Sequence, residues 1–505
     1  MEYSIDSICG EIVNVIRKDN STGFNNLWLV IKNHDYNYLI DNDAIIHLVE
    51  DTHKLLFDDY FKNDISAKKI SICLKNINSE QVVIDNNTYG QINSVQQINP
   101  DHSNSDKFYN YDKLVPVCPR EDATHKYVEV PVSYKHPEWG TFNLYYELNS
   151  DFDAHKPTIM MPTDAQRESS QVGMADKYKK IFDTSFNIVT YEYRGMFCSK
   201  IDEFQNRNLN WQRAYESLHS DNAIEDIERI RQDLLGDEKM YLLGGSGIAS
   251  IGLKYLSKYH QKVEKAYLLG FFKDAVGGSN SAIVYFNKFL KEHNMESSYS
   301  QIVENNIVPL DQFLFLVQRL LYSDESRAIE LIKQISNGDL TLYNDSTKEV
   351  GTVDYFIRSV QKYFPHIVVF MHETNVITSE NGKPDINYPF LKVAEPLHRL
   401  EDQGLIPSEY FDIFNLDKVS TETMLIAGTL DQVAPLNEME KIHNLLPNSK
   451  LAIFKAYHCL QVIPEAKKVR NEFLEVFFNY GSESEEFSNY LKTEAPRGKF
   501  LELRK

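Results

Sequence analysis

Cysteine is scarce in this sequence. It occurs five times in 505 residues, an odd number, and no two cysteines form a Cys-x-x-Cys pair. The five positions are Cys9, Cys73, Cys118, Cys198 and Cys459. Such scattered cysteines argue against a disulfide framework and against a zinc ribbon, and they predict a reducing compartment.

Basic residues are outnumbered by acidic ones. The chain has 53 Lys and Arg against 73 Asp and Glu, which gives a formal net charge of −20. Phosphate backbones and anionic lipids repel a chain of this charge, so we expect neither a nucleic acid nor a membrane as partner. The expected partner is a small-molecule or short-peptide substrate, and whether the chain forms a homo-oligomer stays open.

Long apolar runs are missing as well. No stretch approaches the ~18 apolar residues that indicate a membrane span. The opening segment, MEYSIDS, is acidic where a signal peptide carries basic residues. Together with the cysteine pattern, these absences predict a cytoplasmic protein.

The residues that are present predict two modules. The chain is 42% hydrophobic and 25% charged, as in ordinary globular proteins. Residues 1–110 show short strand patterns between turn signals and predict a small all-β accessory domain. The polar stretch 99–110 predicts a linker, and residues 481–505 predict a polar C-terminal tail.

Residues 125–480 alternate strand and helix patterns, which predicts an α/β fold. Its strand candidates are short and apolar without alternation, as expected for strands covered on both faces. A helical insertion at about 276–414 separates two of these strands. An insertion at this place predicts a lid over the sheet edge where active sites lie.

A strand, KMYLLG, runs through Gly244 and Gly245 into Ser246 and then into a helix. A serine on such a tight turn is typical of a nucleophile, because the turn exposes the hydroxyl and the helix N-terminus favours negative charge. Asp431 and His458 follow two later predicted strands. The order Ser246, Asp431, His458 is that of an α/β-hydrolase catalytic triad, with His458 as base and Asp431 as its orienting acid. Gly247, the residue after the serine, is the expected donor to the oxyanion.

Several segments resemble the prolyl aminopeptidase-like branch (peptidase family S33) of the α/β-hydrolases over residues 127–478. The matching segments are VTYEYRGMFCS with Arg194, Gly195 and Ser199, the helix and strand leading into Ser246 with Asp226 and Arg231, GTLDQVAP with Asp431, and AYHC with His458. The resemblance implies an α/β-hydrolase fold with a helical lid and an aminopeptidase that removes N-terminal residues of the proline type. It also implies a lid glutamate that binds the substrate ammonium, for which Glu373 is the candidate. His372 beside it is expected on the surface, with no metal role.

Two of the sequence's departures from that family change the surroundings of the predicted nucleophile. The glycine-rich oxyanion loop of the family is replaced by Pro162-Thr163-Asp164-Ala165, so Thr163 becomes the candidate for the second oxyanion N–H. Ile248 stands where the serine motif usually has its second glycine.

We therefore expect a serine hydrolase that works through an acyl-enzyme, without a metal or organic cofactor. Three functions stay open. They are N-terminal peptide hydrolysis, cleavage of an ester, thioester or C–C bond in a bulky biosynthetic intermediate, and ligand binding by a catalytically silent scaffold.

Overall fold

The chain divides into two compact units, Met1–Asn99 and Pro100–Lys505. The computed structural model describes residues 29–31, 34–36, 116–163, 165–166, 170–182, 185–205, 209–321, 324–374, 388–408, 411–460, 464–493 and 500–504. In the first unit, β1 (Leu29–Ile31) and β2 (His34–Tyr36) form an antiparallel pair. The other strands predicted for residues 1–110, and the predicted linker at 99–110, lie outside the described residues.

The second unit contains one mixed sheet of nine described strands. They are β3 (His125–Pro131), β4 (Thr141–Leu148), β5 (Thr158–Met161), β6 (Asn187–Tyr191), β7 (Met240–Gly245), β8 (Val263–Leu269), β9 (Glu422–Gly428), β10 (Ser449–Phe454) and β11 (Phe500–Arg504). Their order across the sheet is β11-β10-β9-β8-β7-β5-β6-β4-β3. The strands from β6 through β5, β7, β8 and β9 to β10 run parallel, whereas β3, β4 and β11 pair antiparallel with their neighbours.

Helices cover both faces of this sheet. Four described helices precede the strand β8 in the chain: α1 (Met174–Phe182), α2 (Trp211–Leu218), α3 (Ser220–Leu235) and α4 (Gly247–Tyr259). Nine described helices lie between β8 and β9: α5 (Ala275–Glu292), α6 (Glu296–Glu304), α7 (Leu310–Leu321), α8 (Glu325–Ser336), α9 (Thr341–Val350), α10 (Val353–Tyr363), α11 (Pro365–Thr374), α12 (Tyr388–Val393) and α13 (Glu395–Asp402). In the part of the chain after β9 that the structure describes, there are three helices: α14 (Leu436–Leu445), α15 (Pro464–Tyr480) and α16 (Glu485–Tyr490). In the described part of the chain, none of these helices has the length and apolar character required to cross a lipid bilayer.

The core shows why the central strands carry apolar residues on both faces. On β5, Met160 belongs to the cluster on one face of the sheet, while Ile159 and Met161 belong to the cluster on the other. Successive side chains of a strand point to opposite faces, so a sheet covered on both sides buries all of them. A third buried cluster, which includes Phe289 and Phe313, lies among the helices between β8 and β9.

The sheet order places a switch point beside β5. From β5 the chain continues to β6 on one side, and then returns to β7 on the other side. In open α/β sheets, ligands bind beyond the carboxyl ends of the strands at such a point. The residues that follow β5 and β7 therefore occupy the expected place for a functional site.

Two features differ from the sequence-based expectations. Cys118 and Cys198 form a disulfide with their Cα atoms 5.5 Å apart, although the cysteine spacing argued against disulfides. Their sequence separation of 80 hides the pairing, because only the fold brings the loop before β3 next to the loop after β6. The segment predicted as a polar tail also contributes to the sheet, since β11 pairs with the outer edge of β10.

Candidate active site

Ser246 lies between the end of β7 and the start of α4, as the sequence predicts. Its backbone has φ 57° and ψ −135°, a combination that residues with a side chain rarely adopt. Its N–H donates a hydrogen bond to the carbonyl oxygen of Leu269 on the neighbouring strand β8, at 2.9 Å. Backbone strain of this kind persists only where the surroundings enforce it, and it is common at active sites.

Gly244 makes the tight turn around Ser246 feasible. A Cβ atom at this position would lie 2.8 Å from the Cα of Ala249 in α4, closer than real Cβ atoms come to backbone. The requirement for a small residue therefore comes from the close approach of α4 to the end of β7. Ile248, at the position where the family motif has glycine, is accommodated as a buried residue.

Asp431 lies three residues beyond the end of β9. Its side chain is almost fully buried, and one carboxylate oxygen accepts hydrogen bonds from the N–H groups of Val433 (2.9 Å) and Ala434 (2.8 Å). Gly428, the last residue of β9, allows this loop to pass close to the next one, because a Cβ there would lie 2.3 Å from the carbonyl oxygen of Ala456. The loop thus holds the carboxylate in one orientation.

His458 joins the other two residues. Its Nδ1 lies 2.9 and 3.0 Å from the two oxygens of Asp431, and its Nε2 lies 2.9 Å from the Oγ of Ser246. The three side chains predicted as a triad come together at the carboxyl ends of β7, β9 and β10. The Ser246–His458 and His458–Asp431 distances are both within hydrogen-bond range, as a nucleophile, a base and an orienting acid require.

The electrostatic setting of His458 follows from this geometry. Burial alone would disfavour the charged imidazolium, but the Asp431 carboxylate 2.9 Å away outweighs burial and raises the pKa of His458 well above its ordinary value. An imidazole stabilised in this way can hold a proton taken from Ser246.

Cys459 is a further neighbour of the triad that sequence reasoning did not assign. Its Sγ lies 3.6 Å from the Nε2 of His458 and donates to the carbonyl oxygen of Leu269 at 3.7 Å. Both Cys459 (φ 52°) and Leu460 (φ 56°) have left-handed backbones, so the loop turns sharply directly after the histidine. This turn helps to fix the ring of His458 next to Ser246.

The two candidate oxyanion donors lie next to this triad in the fold. Gly247 is the first residue of α4, so its N–H belongs to the helix turn that has no partner within the helix. Thr163 follows β5 by two residues and is buried. Since β5 pairs in parallel with β7, matching Ile159 to Tyr241, Thr163 is level with the end of β7.

Glu373 and His372 lie in a different environment from the one expected. Both are fully buried in α11, so the expectation that His372 lies on the surface is wrong. The oxygens of Glu373 accept hydrogen bonds from the Ser220 N–H, at 3.1 and 3.2 Å, and one of them lies 3.1 Å from the Nε2 of His219. Burial, as the larger cause, and the neighbouring His398, as the smaller one, lower the pKa of His372 to about 4.

Other residues that carry the family resemblance hold the fold together. Arg194 and Asp226 form a fully buried bidentate ion pair, with nitrogen–oxygen distances of 2.7 and 2.8 Å. Arg194 also donates to the carbonyl oxygens of Val132 and Ser217, so together with its pair to Asp226 it connects the loop after β6 to the end of β3, to α2 and to α3. Glu192 is buried and accepts hydrogen bonds from the Ser170 hydroxyl, in the segment before α1, and from the Cys198 N–H, in the loop after β6.

Comparison with known proteins gives one family. The family model for the alpha/beta hydrolase fold matches residues 172–463, which is more than half of the chain. This range contains Ser246, Asp431 and His458. No curated protein matches this chain.

Solved structures with a similar fold are distant in sequence. An alpha/beta hydrolase enzyme from a Medee basin deep-sea metagenome library shares 15% identity, with 67% of this chain and 94% of that chain covered and a TM-score of 0.39. A meta-cleavage product hydrolase from Pseudomonas fluorescens shares 15% identity, with 67% and 94% covered and a TM-score of 0.36. A proline iminopeptidase from Mycobacterium smegmatis shares 11% identity, with 70% and 98% covered and a TM-score of 0.37.

Because these TM-scores are low, the assignment of the family rests on the family model. That match agrees with the mixed nine-stranded sheet and with the strand-to-helix turn that carries the serine. The predicted α/β-hydrolase fold is confirmed, and the chain belongs to the alpha/beta hydrolase fold family.

Proposed function

We propose that this protein is a serine hydrolase that forms an acyl-enzyme on Ser246. The observation that carries the proposal is the continuous hydrogen-bonded series from Ser246 Oγ to His458 Nε2 and from His458 Nδ1 to Asp431, with distances of 2.9 to 3.0 Å. The strained backbone of Ser246 supports it, since such strain is kept where a reactive hydroxyl must be presented.

In the proposed reaction, Ser246 Oγ bonds to the substrate carbonyl carbon while His458 takes the hydroxyl proton. Asp431 keeps the ring in the required tautomer and stabilises its positive charge. The negative charge that develops on the carbonyl oxygen is stabilised by the N–H of Gly247 and by a backbone N–H at Thr163. His458 then gives the proton to the leaving group, the bond to that group breaks, and a water molecule releases the acid by the reverse steps.

We favour an ester, thioester or C–C bond in a bulky intermediate as the substrate bond. Aminopeptidase specificity needs an acidic side chain that can meet the substrate ammonium, and Glu373 was the candidate for this role. Its carboxylate is fully buried and already accepts hydrogen bonds from the Ser220 N–H, with His219 beside it. An ammonium group would have to displace these contacts, at the cost of leaving buried polar groups without partners.

Aminopeptidase activity is the second candidate. It is supported by the sequence matches to the prolyl aminopeptidase-like branch at Arg194, Gly195 and Ser199. The two candidates differ in one observable. An aminopeptidase requires a free substrate amine and hydrolyses aminoacyl arylamides, whereas the favoured hydrolase acts on acyl esters that have no amine.

The test compares Ser246→Ala with Ser250→Ala, a buried serine one turn further along α4. Turnover is measured with whichever of two substrates, an acyl ester or an aminoacyl arylamide, the wild-type protein hydrolyses faster. We expect Ser246→Ala to lower this turnover by ~10⁴-fold or more, as in other serine triads. Ser250→Ala should retain most of the activity. Turnover of neither substrate by the wild-type protein would favour the silent scaffold, and equal activity of Ser246→Ala would remove Ser246 from the mechanism.

The cellular location belongs to the same proposal. The scattered, odd-numbered cysteines of the sequence support the cytoplasm, whereas the disulfide between Cys118 and Cys198 is typical of an oxidising compartment. We keep the cytoplasm as the proposal. It requires Cys118 and Cys198 to be reduced in the cell, which alkylation of thiols during rapid lysis would show.

A further inference from the structure

His372, His398 and Glu401 form a compact cluster outside the proposed triad. The Nε2 of His372 lies 3.0 Å from the Oε2 of Glu401, and the Nδ1 of His398 lies 3.4 Å from the same oxygen. One ligating atom from each residue lies within 4.8 Å of the other two. The cluster comes from two helices, since His372 lies on α11 and the other two residues lie on α13.

Helix geometry explains why these side chains converge. His398 and Glu401 are three residues apart, so they lie on the same face of α13. The packing of α11 against α13 then brings His372 to that face, with the rings of His372 and His398 4.8 Å apart. The ring of Tyr215 on α2 packs edge-on against His372, with 5.6 Å between ring centroids, and limits the rotation of that imidazole.

We propose that His372, His398 and Glu401 bind one zinc ion. Two imidazoles and one carboxylate form a ligand set that zinc uses, with a water molecule as the fourth ligand. Ligands about 2.1 Å from a tetrahedral zinc ion lie about 3.4 Å from one another. The distances from the Oε2 of Glu401 to the two imidazole nitrogens, 3.0 and 3.4 Å, are close to this value, so small side-chain shifts would admit the ion.

Burial gives the site one closed side and one open side. The side chain of His372 is fully buried, whereas those of His398 and Glu401 are each 15% exposed. An ion and its water ligand can therefore reach the site from the side of α13. Nitrogen and carboxylate ligands favour zinc over magnesium or calcium, which prefer all-oxygen sites.

The ion would act as a cross-link within the lid. It would join α11 to α13, two helices that are separated along the chain by α12. Glu373, the neighbour of His372, already connects α11 to Ser220 at the start of α3. A zinc ion at this cluster would therefore hold the last lid helices together on the side where α11 meets the body of the domain.

The test uses the full-length protein after treatment with a chelator. Zn²⁺ is titrated into the wild type and into His398→Gln and Glu401→Gln, with bound zinc measured by elemental analysis and stability measured by thermal unfolding. His136→Gln is the matched control, because His136 lies 3.2 Å from Glu138 in an exposed histidine–carboxylate pair. His372 is left unchanged, since its complete burial makes its replacement a test of folding.

We expect the wild type and His136→Gln to bind one zinc ion per chain and to unfold at a higher temperature with zinc than without. In the presence of chelator, both ligand variants should unfold at the same temperature as the wild type. Their affinity for zinc should fall by more than the ~10- to 100-fold that removal of an outer hydrogen-bond partner costs a metal site. Failure of the wild type to retain zinc, or equal binding by the ligand variants, would overturn the proposal.

A second measurement protects the test against variants that fail to fold. Co²⁺ added to the wild-type protein should give the visible absorption bands of a four- or five-coordinate site with nitrogen ligands. Zn²⁺ should then abolish these bands by displacement. A spectrum that stays that of hexaaqua Co²⁺ would overturn the proposal without any variant.

Discussion

At the scale of single residues, Asp431 decides whether the triad is assembled. If it orients His458, then Asp431→Asn keeps the loop in place but presents the imidazole in the wrong tautomer, and turnover should fall by ~10⁴-fold with little change in KM. If Asp431 only stabilises its loop through Val433 and Ala434, the variant should instead lose about 1 kcal/mol of stability and keep its activity.

Glu192→Gln is the matched control for Asp431→Asn. Glu192 is also a buried carboxylate at a strand end, but its hydrogen bonds go to Ser170 and Cys198. We expect its replacement to lower the melting temperature and to leave kcat near the wild-type value. A large loss of kcat from Glu192→Gln together with normal kcat in Asp431→Asn would make Glu192 the acid.

The raised pKa of His458 predicts the pH dependence of both activity and stability. Attack by Ser246 needs a neutral His458, so kcat/KM should rise with pH through a pKa above the ordinary value of 6.5. The folded pKa is raised, so the stability that the His458–Asp431 pair contributes is fully present below about pH 6.5. It is lost as the pH rises through the folded pKa.

Kinetic and thermal pH profiles of the wild type and Asp431→Asn measure these effects. Without the carboxylate, the inflection in residual kcat/KM should move to lower pH, because burial then acts on His458 without an opposing charge. The pH-dependent difference in melting temperature between the two proteins should shrink as the pH increases. An inflection below pH 6.5 in the wild type would contradict the electrostatic account.

At the scale of structural elements, the contact of β7 with α4 controls the position of Ser246. A methyl group at Gly244 would meet backbone atoms of Ala249 at 2.8 to 2.9 Å, so α4 would have to move. We expect Gly244→Ala to destabilise the protein by about 1–3 kcal/mol and to reduce turnover by more than the stability loss explains. Urea unfolding combined with turnover measured far below the unfolding midpoint separates the two effects.

Gly252→Ala is the control within the same helix. A Cβ at Gly252 would meet only side-chain atoms of Leu268 and Leu242, at 3.3 and 3.4 Å, which can adjust. Alanine also favours helix over glycine. We expect a small change in stability and normal turnover, and a loss of turnover equal to that of Gly244→Ala would show that Gly244 has no special role.

Much of the element order could be predicted because each element has its own local pattern. The apolar strands and the amphipathic helices between them are visible in the sequence, and the helix with Asp226 and Arg231 that leads towards Ser246 is α3. The juxtaposition of Ser246, Asp431 and His458 could be predicted because parallel strands bring their carboxyl ends to one edge. Neither inference requires knowledge of which helices are neighbours.

Contacts between distant helices and loops could not be predicted in this way. His398 and Glu401 are visibly spaced for one helix face, but nothing in the sequence pairs that face with His372 on α11. The sequence does not reveal the structural role of Glu373, the candidate substrate-binding carboxylate, because its partner Ser220 is 153 residues away. The disulfide of Cys118 and the strand β11 were missed for the same reason, since each depends on a neighbour that only the folded chain supplies.

At the scale of the whole molecule, the two modules should separate on limited proteolysis. The sequence predicts a polar linker at 99–110, and exposed linkers are the preferred sites of cleavage. We expect cutting between about 99 and 117, with two stable fragments. Because Cys118 is bonded to Cys198 in the second unit, a cut before Cys118 should release the N-terminal fragment without reductant.

Electrophoresis with and without reductant, together with mass spectrometry of the fragments, reads out this experiment. Fragments that come apart only after reduction would place the main cut after Cys118. Rapid degradation of both halves would contradict an independent N-terminal module and would favour an accessory domain whose stability depends on the second unit.

The central claim is that Ser246 is the nucleophile, and the most direct test is the site of covalent attack. Wild-type protein is treated with a fluorophosphonate, digested, and mapped by mass spectrometry. We predict a single adduct on Ser246, no adduct in Ser246→Ala, and unchanged labelling of Ser250→Ala, with similar melting temperatures for all three proteins. An adduct on another residue, or undiminished labelling of Ser246→Ala, would contradict the account.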